Sequence, residues 1–204
     1  MTRYMTSLPP DYFEARYAAD PDPWRFATSA YERAKYAATL AALPRARYAS
    51  ALEIGCSIGV MTQALAGRCA HLLGLDVAES ALRQARERCG GLDHVRFEAR
   101  QVPGQWPDGA FDLILLSEVV YYLDASDVGR LAERMRASLP PGGDVVLVHW
   151  TGETHYPLTG DEAARLFIEA TGGFLHCVGQ ARTPTYRLDV LHRSAKDAPP
   201  AGRA

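Results

Sequence analysis

Glu53-Ile54-Gly55-Cys56-Ser57-Ile58-Gly59 closes a short apolar run that opens at Ala51, and a helical pattern over 60–67 follows it. Gly55 and Gly59 permit a tight turn and let a ligand approach the backbone at the carboxyl end of a strand. A second strand, 71–75, ends at Asp76. That is about the 20-residue interval after which a carboxylate accepts both hydroxyls of a ribose. The glycine turn alone marks only a bend. Turn and carboxylate together, in strand-helix-strand order, specify a nucleoside ligand.

The alternation continues outward from this centre. A helix is predicted over 78–89, closed by Gly90 and Gly91, then strands over 94–98 and 111–116, a helix over 126–139 and a strand over 144–150. Helices between strands imply a parallel sheet. A helix over 161–171 with an acidic first turn precedes strands over 174–180 and 185–193, joined by a short link containing Pro184. That link is too short for a crossover helix, so the last strand is expected to run antiparallel. Upstream, 31–43 reads as an Ala-rich helix stopped by Pro44, while Pro9, Pro10, Pro21 and Pro23 mark 1–30 as an arm or lid. The expected organisation is that arm, one α/β domain over 31–193, and a disordered tail over 194–204 containing Pro199 and Pro200.

With 204 residues, 48% hydrophobic and 23% charged, the chain has the composition of a single globular core. A net charge of -2 supplies no basic field for a phosphate backbone, so nucleic acid is not expected as a partner. No apolar run approaches the roughly 20 residues of a membrane helix and no signal-peptide core opens the chain, which reads as cytoplasmic, as a monomer or homodimer. Cys56, Cys69, Cys89 and Cys177 are scattered and read as free thiols, and the histidines, His149 and His155 among them, have no metal-binding spacing.

Two other chemistries share these residues. A dinucleotide fingerprint requires glycine where Ser57 and Val60 stand, which disfavours bound pyrophosphate. Gly55-Cys56-Ser57-Ile58-Gly59 also spells the nucleophile elbow of a hydrolase, with Asp112 or Asp124 and His149 or His192 in the required order. Here, however, the elbow would follow the first strand of the sheet, without an upstream segment to build an oxyanion hole.

The stretch from Glu53 to Gly59, Leu75-Asp76, Phe111-Asp112-Leu113-Ile114 and Leu139-Pro140-Pro141-Gly142-Gly143 resemble the class I S-adenosylmethionine-dependent methyltransferases over about residues 31–150. The resemblance implies a Rossmann-like, mainly parallel seven-stranded sheet with helices on both faces. It places S-adenosyl-L-methionine, and S-adenosyl-L-homocysteine as product, over Gly55, Cys56 and Gly59, with Asp76 and Val77 at the ribose. Asp22-Pro23-Trp24-Arg25, Tyr31-Glu32-Arg33 and Ser117-Glu118-Val119-Val120-Tyr121-Tyr122-Leu123 are further similar to the rhizobial nodulation protein S family, which N-methylates the free amine of a deacetylated chitooligosaccharide. An amino sugar or oligosaccharide amine is then the implied acceptor. A small-molecule O-methyltransferase and an inactive cofactor-binding protein are the alternatives. One departure stands out: where these families often place Asp after the third strand for the adenine amine, this chain has Gln101 beside Val102, and a glutamine carbonyl can still accept that bond.

Other residues have assignable roles. Glu53 can serve the loop amides or the positive end of the cofactor. Ser117 and Glu118 leave the fourth strand at the edge where open α/β sheets bind ligands. Glu118 is expected to bind the acceptor amine and manage its proton, with Tyr121, Tyr122 and His149 beside it; for a hydroxyl acceptor His149 becomes the base. If the arm folds over the site, Trp24 covers it and Arg25 or Arg33 pairs with the cofactor carboxylate; otherwise they are ordinary surface groups.

Overall fold

The computed structural model describes residues 3–194, so the expected tail lies outside the described residues apart from Ser194. In chain order the elements are α1 (Pro10–Ala19), α2 (Ala30–Ala42), β1 (Tyr48–Ile54), α3 (Val60–Ala66), β2 (Cys69–Asp76), α4 (Glu79–Arg88), β3 (Val95–Ala99), β4 (Leu113–Ser117), a 3₁₀ turn (Val120–Tyr122), α5 (Ala125–Ser138), β5 (Asp144–Trp150), α6 (Gly160–Thr171), β6 (His176–Arg182) and β7 (Tyr186–His192). They build one seven-stranded sheet of order β3-β2-β1-β4-β5-β7-β6. β1 to β5 run parallel, and β7 is antiparallel to both β5 and β6. The strand last in sequence therefore sits inside the sheet, and β6 forms the edge.

The two-residue period of the central strands explains the layers. Ile114, Leu116, Val145 and Leu147 point to one face, where α5 and α6 bring Leu131, Met135 and Phe167. Leu113, Leu115, Val146 and Val148 point to the other, where α3 brings Met61 and Leu65. A strand buried on both faces reads as a continuous apolar run, which is why β4 and β5 were visible in the sequence.

The amino edge of the sheet is held by ions. Asp112 accepts the backbone N–H groups of Ala49 and Ser50, which extends β1 back to Tyr48. Arg45 bridges Asp112 and the buried Asp144, which also accepts from Tyr48 and pairs with His192. The arm lies against the opposite, carboxyl edge. Leu8 N–H bonds Tyr122 O, and Tyr17, Trp24 and Phe26 pack with Ile58 and Ala78.

Candidate active site

β2, β1, β4 and β5 end side by side at Asp76, Ile54, Ser117 and Trp150. At about 4.8 Å per strand, that edge spans roughly 14 Å from Asp76 to Trp150. Between β1 and β4 the connections depart in opposite directions, the switch point at which open α/β sheets bind ligands. A cavity of about 450 Å³ opens there, and α2 and the arm form its outer wall.

Of the residues expected to hold the cofactor, Trp24, Glu53, Gly55, Cys56, Asp76 and Ser117 line this cavity. Gly55 has φ +79°, and a Cβ there would meet Val119 Cγ2 at 2.9 Å, so the turn requires glycine. Asp76 Oδ2 accepts Ser57 N–H at 2.9 Å and Oδ1 accepts Ala78 N–H at 3.0 Å. The two oxygens together have four acceptor sites, so capacity remains for a ribose hydroxyl. Burial raises the Asp76 pKa, and the N–H groups of Ala78, Ser57 and Val77 oppose it. Glu53 is 1% exposed, its Oε2 has no hydrogen-bond partner, and burial pushes its carboxyl up to about 8. A cationic group bound beside it would draw it back to the charged form. This donor set fits a ribose and a cation.

The other expected cofactor residues lie outside the cavity wall. Gly59 has φ +77°, and its missing side chain makes room for Ala85 Cα, 2.9 Å from where a Cβ would stand; it serves the packing of α3 on α4. Val77 follows Asp76 out of the strand without reaching the cavity. Gln101 and Val102 line a separate cavity against α5, because the 101–105 turn closes on itself through Gln101 N–H to Gln105 Oε1 at 2.8 Å. Arg25 and Arg33 are exposed, and Arg33 donates to Thr28 O at 2.8 Å.

The three residues expected to be catalytic divide similarly. Glu118 and Tyr121 line the cavity. Glu118 sits at φ +57°, and its oxygens are engaged: Oε1 takes Lys35 Nζ at 2.5 Å, while Oε2 takes Tyr121 OH at 2.7 Å and Trp150 N–H at 2.8 Å. Glu118 is thus a clamp joining α2, the 3₁₀ turn and β5. His149 is fully buried behind the wall, its Nε2 accepts Val120 N–H at 3.1 Å, and burial lowers it to about 4. Its basic lone pair is committed to the backbone.

Sequence reasoning missed Lys35, and gave no role to Glu32. Lys35 is 2% exposed, and its Nζ lies 3.0 Å from Glu32 Oε2 as well as 2.5 Å from Glu118 Oε1. Burial pulls the lysine pKa down, but the two carboxylates outweigh it and the net shift is upward. Tyr17, Phe26, Tyr31, Tyr36, Trp150 and Tyr156 complete an aromatic wall; Trp150 is the last residue of the strand expected over 144–150.

Ser57 has no base within this arrangement. Its Oγ pairs with Tyr17 OH at 2.5 Å, Asp112 and His192 belong to the ion cluster at the far edge, and Asp124 caps α5. A fluorophosphonate probe is therefore expected to leave Ser57 unlabelled. Ser57→Ala should lose only about 1 kcal/mol of stability with the Tyr17 bond. Stoichiometric labelling of Ser57 would reinstate the hydrolase reading.

The nodulation protein S (NodS) family model matches residues 11–141. Nodulation protein S of Rhizobium tropici is 34% identical over 133 residues, covering 64% of this chain and 56% of the relative. The Bradyrhizobium diazoefficiens protein of the same name is 39% identical over 109 residues, 53% of this chain and 52% of the relative. The chain thus spans little more than half the length of these curated relatives. Among solved structures, a methyltransferase from Pseudomonas syringae, itself so assigned without proof, is 37% identical, with a TM-score of 0.71, covering 80% of this chain and 99% of that one. The N-methyltransferase NodS from Bradyrhizobium japonicum WM9, in complex with S-adenosyl-L-homocysteine, has a TM-score of 0.74 at 24% identity, covering 90% and 98%. The sheet described above is the Rossmann-like methyltransferase fold.

Proposed function

The chain belongs to the nodulation protein S family, and from that premise we propose that it transfers a methyl group from S-adenosyl-L-methionine to the nitrogen of a small-molecule amine, an amino sugar or oligosaccharide in the first instance. The observation that carries this reading is the charge of the cavity. Glu32, Glu53, Asp76, Glu118 and Glu153 line it, and among the described residues the one lining cation, Lys35, is already paired. Such a site attracts positive ligands, and aromatic walls add cation–π attraction.

In this reading Trp24, Glu53, Gly55, Cys56, Asp76 and Ser117 hold the cofactor half of the cavity. Asp76 orients the ribose, and Glu53 stands by its positive end. Bound there, the cofactor supplies a methyl group on a sulfonium that is already a good leaving group. The chain's own work is to align the acceptor nitrogen, exclude water and remove a proton. Glu118 holds the acceptor wall in place through Tyr121 and the Trp150 backbone. The engaged Nε2 of His149 counts against a hydroxyl acceptor, which would need it as base.

Purified protein incubated with methyl-labelled cofactor should label glucosamine or deacetylated chitobiose on nitrogen and leave phenols unlabelled. Label on phenols alone would overturn the amine assignment. Absence of transfer with cofactor binding intact would favour a binding protein.

A further inference from the structure

Two helices of this chain open with the same local signature, Ser or Thr followed three residues later by Glu. Thr159 and Glu162 at α6 form the reciprocal capping box: Thr159 N–H donates to Glu162 Oε2 at 2.8 Å and Glu162 N–H to Thr159 Oγ1 at 3.2 Å. At α2 only half of it forms. Ser29 Oγ accepts Glu32 N–H at 3.3 Å, but the Glu32 carboxylate does not return to Ser29; it turns into the cavity and becomes 7% exposed. A glutamate that forgoes its cap and loses its water breaks a local rule at a cost, which is the mark of a functional position.

Its surroundings say what the position does. Lys35 Nζ lies 3.1 Å from Glu32 Oε1 with hydrogen-bond geometry and 3.0 Å from Oε2, which is buried and ion-paired to the ammonium without meeting hydrogen-bond geometry. Glu118 already accepts three protein donors, Lys35, Tyr121 and the Trp150 backbone, with both sites of its Oε2 filled. Two carboxylates around one ammonium leave one negative charge, and Glu32, with a single hydrogen bond from Lys35 against three donors on Glu118, is the less fully bonded of the two. The neighbouring Tyr31 packs edge-on against Trp150 at 5.8 Å, which places this end of α2 at the β5 half of the cavity, away from Asp76 on β2.

We propose that Glu32 receives the acceptor's ammonium and takes its proton, an assignment that rests on the amine-methylating reading above. The ammonium N–H passes its proton to the carboxylate, which becomes a carboxylic acid. The freed nitrogen lone pair forms the N–C bond as the C–S pair withdraws onto sulfur, leaving a methylated ammonium and a neutral thioether. Glu32 then returns its proton to water. Burial raises the Glu32 pKa against the opposing pull of Lys35, with Glu118 raising it further and Tyr36 donating to it, so the group is suited to hold a proton briefly. Tyr36 in turn faces Glu53 as well as Glu32, and both carboxylates raise its pKa.

E32Q keeps the size and the Lys35 contact but cannot take a proton, and E32D keeps the charge on a shorter stem. With S-adenosyl-L-homocysteine bound, calorimetry should show glucosamine binding E32Q about tenfold more weakly than wild type, with cofactor affinity unchanged within about twofold. The methyl-transfer rate should fall about a hundredfold, its pH profile should change from one set by ionisation of the carboxylate to one that rises only as free amine accumulates in solution, and E32D should recover part of both. If E32Q does not fold, the same comparison is made with E32D, expected between wild type and inactivity. An active wild type whose E32Q, or E32D where E32Q fails, keeps its glucosamine affinity and pH profile overturns this assignment alone. A wild type that binds S-adenosyl-L-homocysteine yet neither binds nor methylates glucosamine, deacetylated chitobiose or phosphoethanolamine overturns the amine reading and the assignment with it.

Discussion

Asp76→Ala should weaken S-adenosyl-L-homocysteine binding by about 1–3 kcal/mol, roughly five- to 150-fold, the range expected when charge-assisted hydrogen bonds to a ribose are lost. The carboxylate ends β2 and lines the cavity, its oxygens engage the N–H groups of the turn, and acceptor capacity remains for a ribose hydroxyl. The substitution also frees the N–H groups of Ser57 and Ala78, and Ser57 sits at φ +51° in the turn, so part of the loss will come from the loop. Asp76→Asn keeps part of each contribution. Its amide oxygen still accepts from one loop N–H while its NH₂ faces the other donor, so its affinity should fall between the others. The native pKa of Asp76 is raised by burial, so in wild type cofactor affinity should decline on acidification earlier than for an exposed aspartate. Calorimetry with a parallel unfolding curve decides. An Asp76→Ala protein that stays folded and binds as tightly as wild type would remove the nucleoside site.

The centre of this fold was legible because its signals are local. The glycine turn, the carboxylate ending β2 and the apolar runs of β4 and β5 are each contained within a few consecutive residues. What escaped depends on distant partners. Phe111 and Asp112 read as the start of β4, yet the Asp112 side chain caps β1 instead, and β1 gains Tyr48, Ala49 and Ser50 as a result. Gly59 was assigned to the ligand, but what requires its glycine is Ala85 on another helix. Gln101 was aligned to the adenine by counting from β3, and a side-chain bond four residues on turned the loop toward α5.

The outer wall was the least legible part. α2 buries Glu32, Lys35 and Thr39, an i, i+3, i+7 stripe that is polar where an apolar stripe is the rule. Read for hydrophobic period alone, α2 is an Ala-rich surface helix; read for charge at the same period, it carries the residues now facing Glu118. Tyr17 and Phe26 reach the cavity only because the arm folds across the carboxyl edge, and proline spacing does not encode that.

Lys35→Met should destabilise the protein by about 3–5 kcal/mol at neutral pH, because removing one partner of a buried ion pair leaves uncompensated charge. Methionine fills nearly the same volume, so packing loss is small and the effect reports charge. The Lys35 pKa is raised in the folded state, so its contribution is fully present below the ordinary lysine range and lost only as pH climbs through the higher native value. Neutral pH therefore measures the intact interaction. In the variant, Glu32 and Glu118 face each other without a cation, and burial already raises Glu32. A carboxylate whose folded pKa exceeds its unfolded value of about 4.3 destabilises progressively as pH rises between the two. The deficit relative to wild type should accordingly be small near pH 4 and reach its full size around neutrality, as read from urea midpoints at each pH. Adding Glu118→Gln to Lys35→Met removes one of the stranded charges and should restore part of the loss, since a buried pair costs most when half of it remains. A Lys35→Met protein within about 0.5 kcal/mol of wild type at pH 7 would mean that water reaches these carboxylates, and that the wall they build is open.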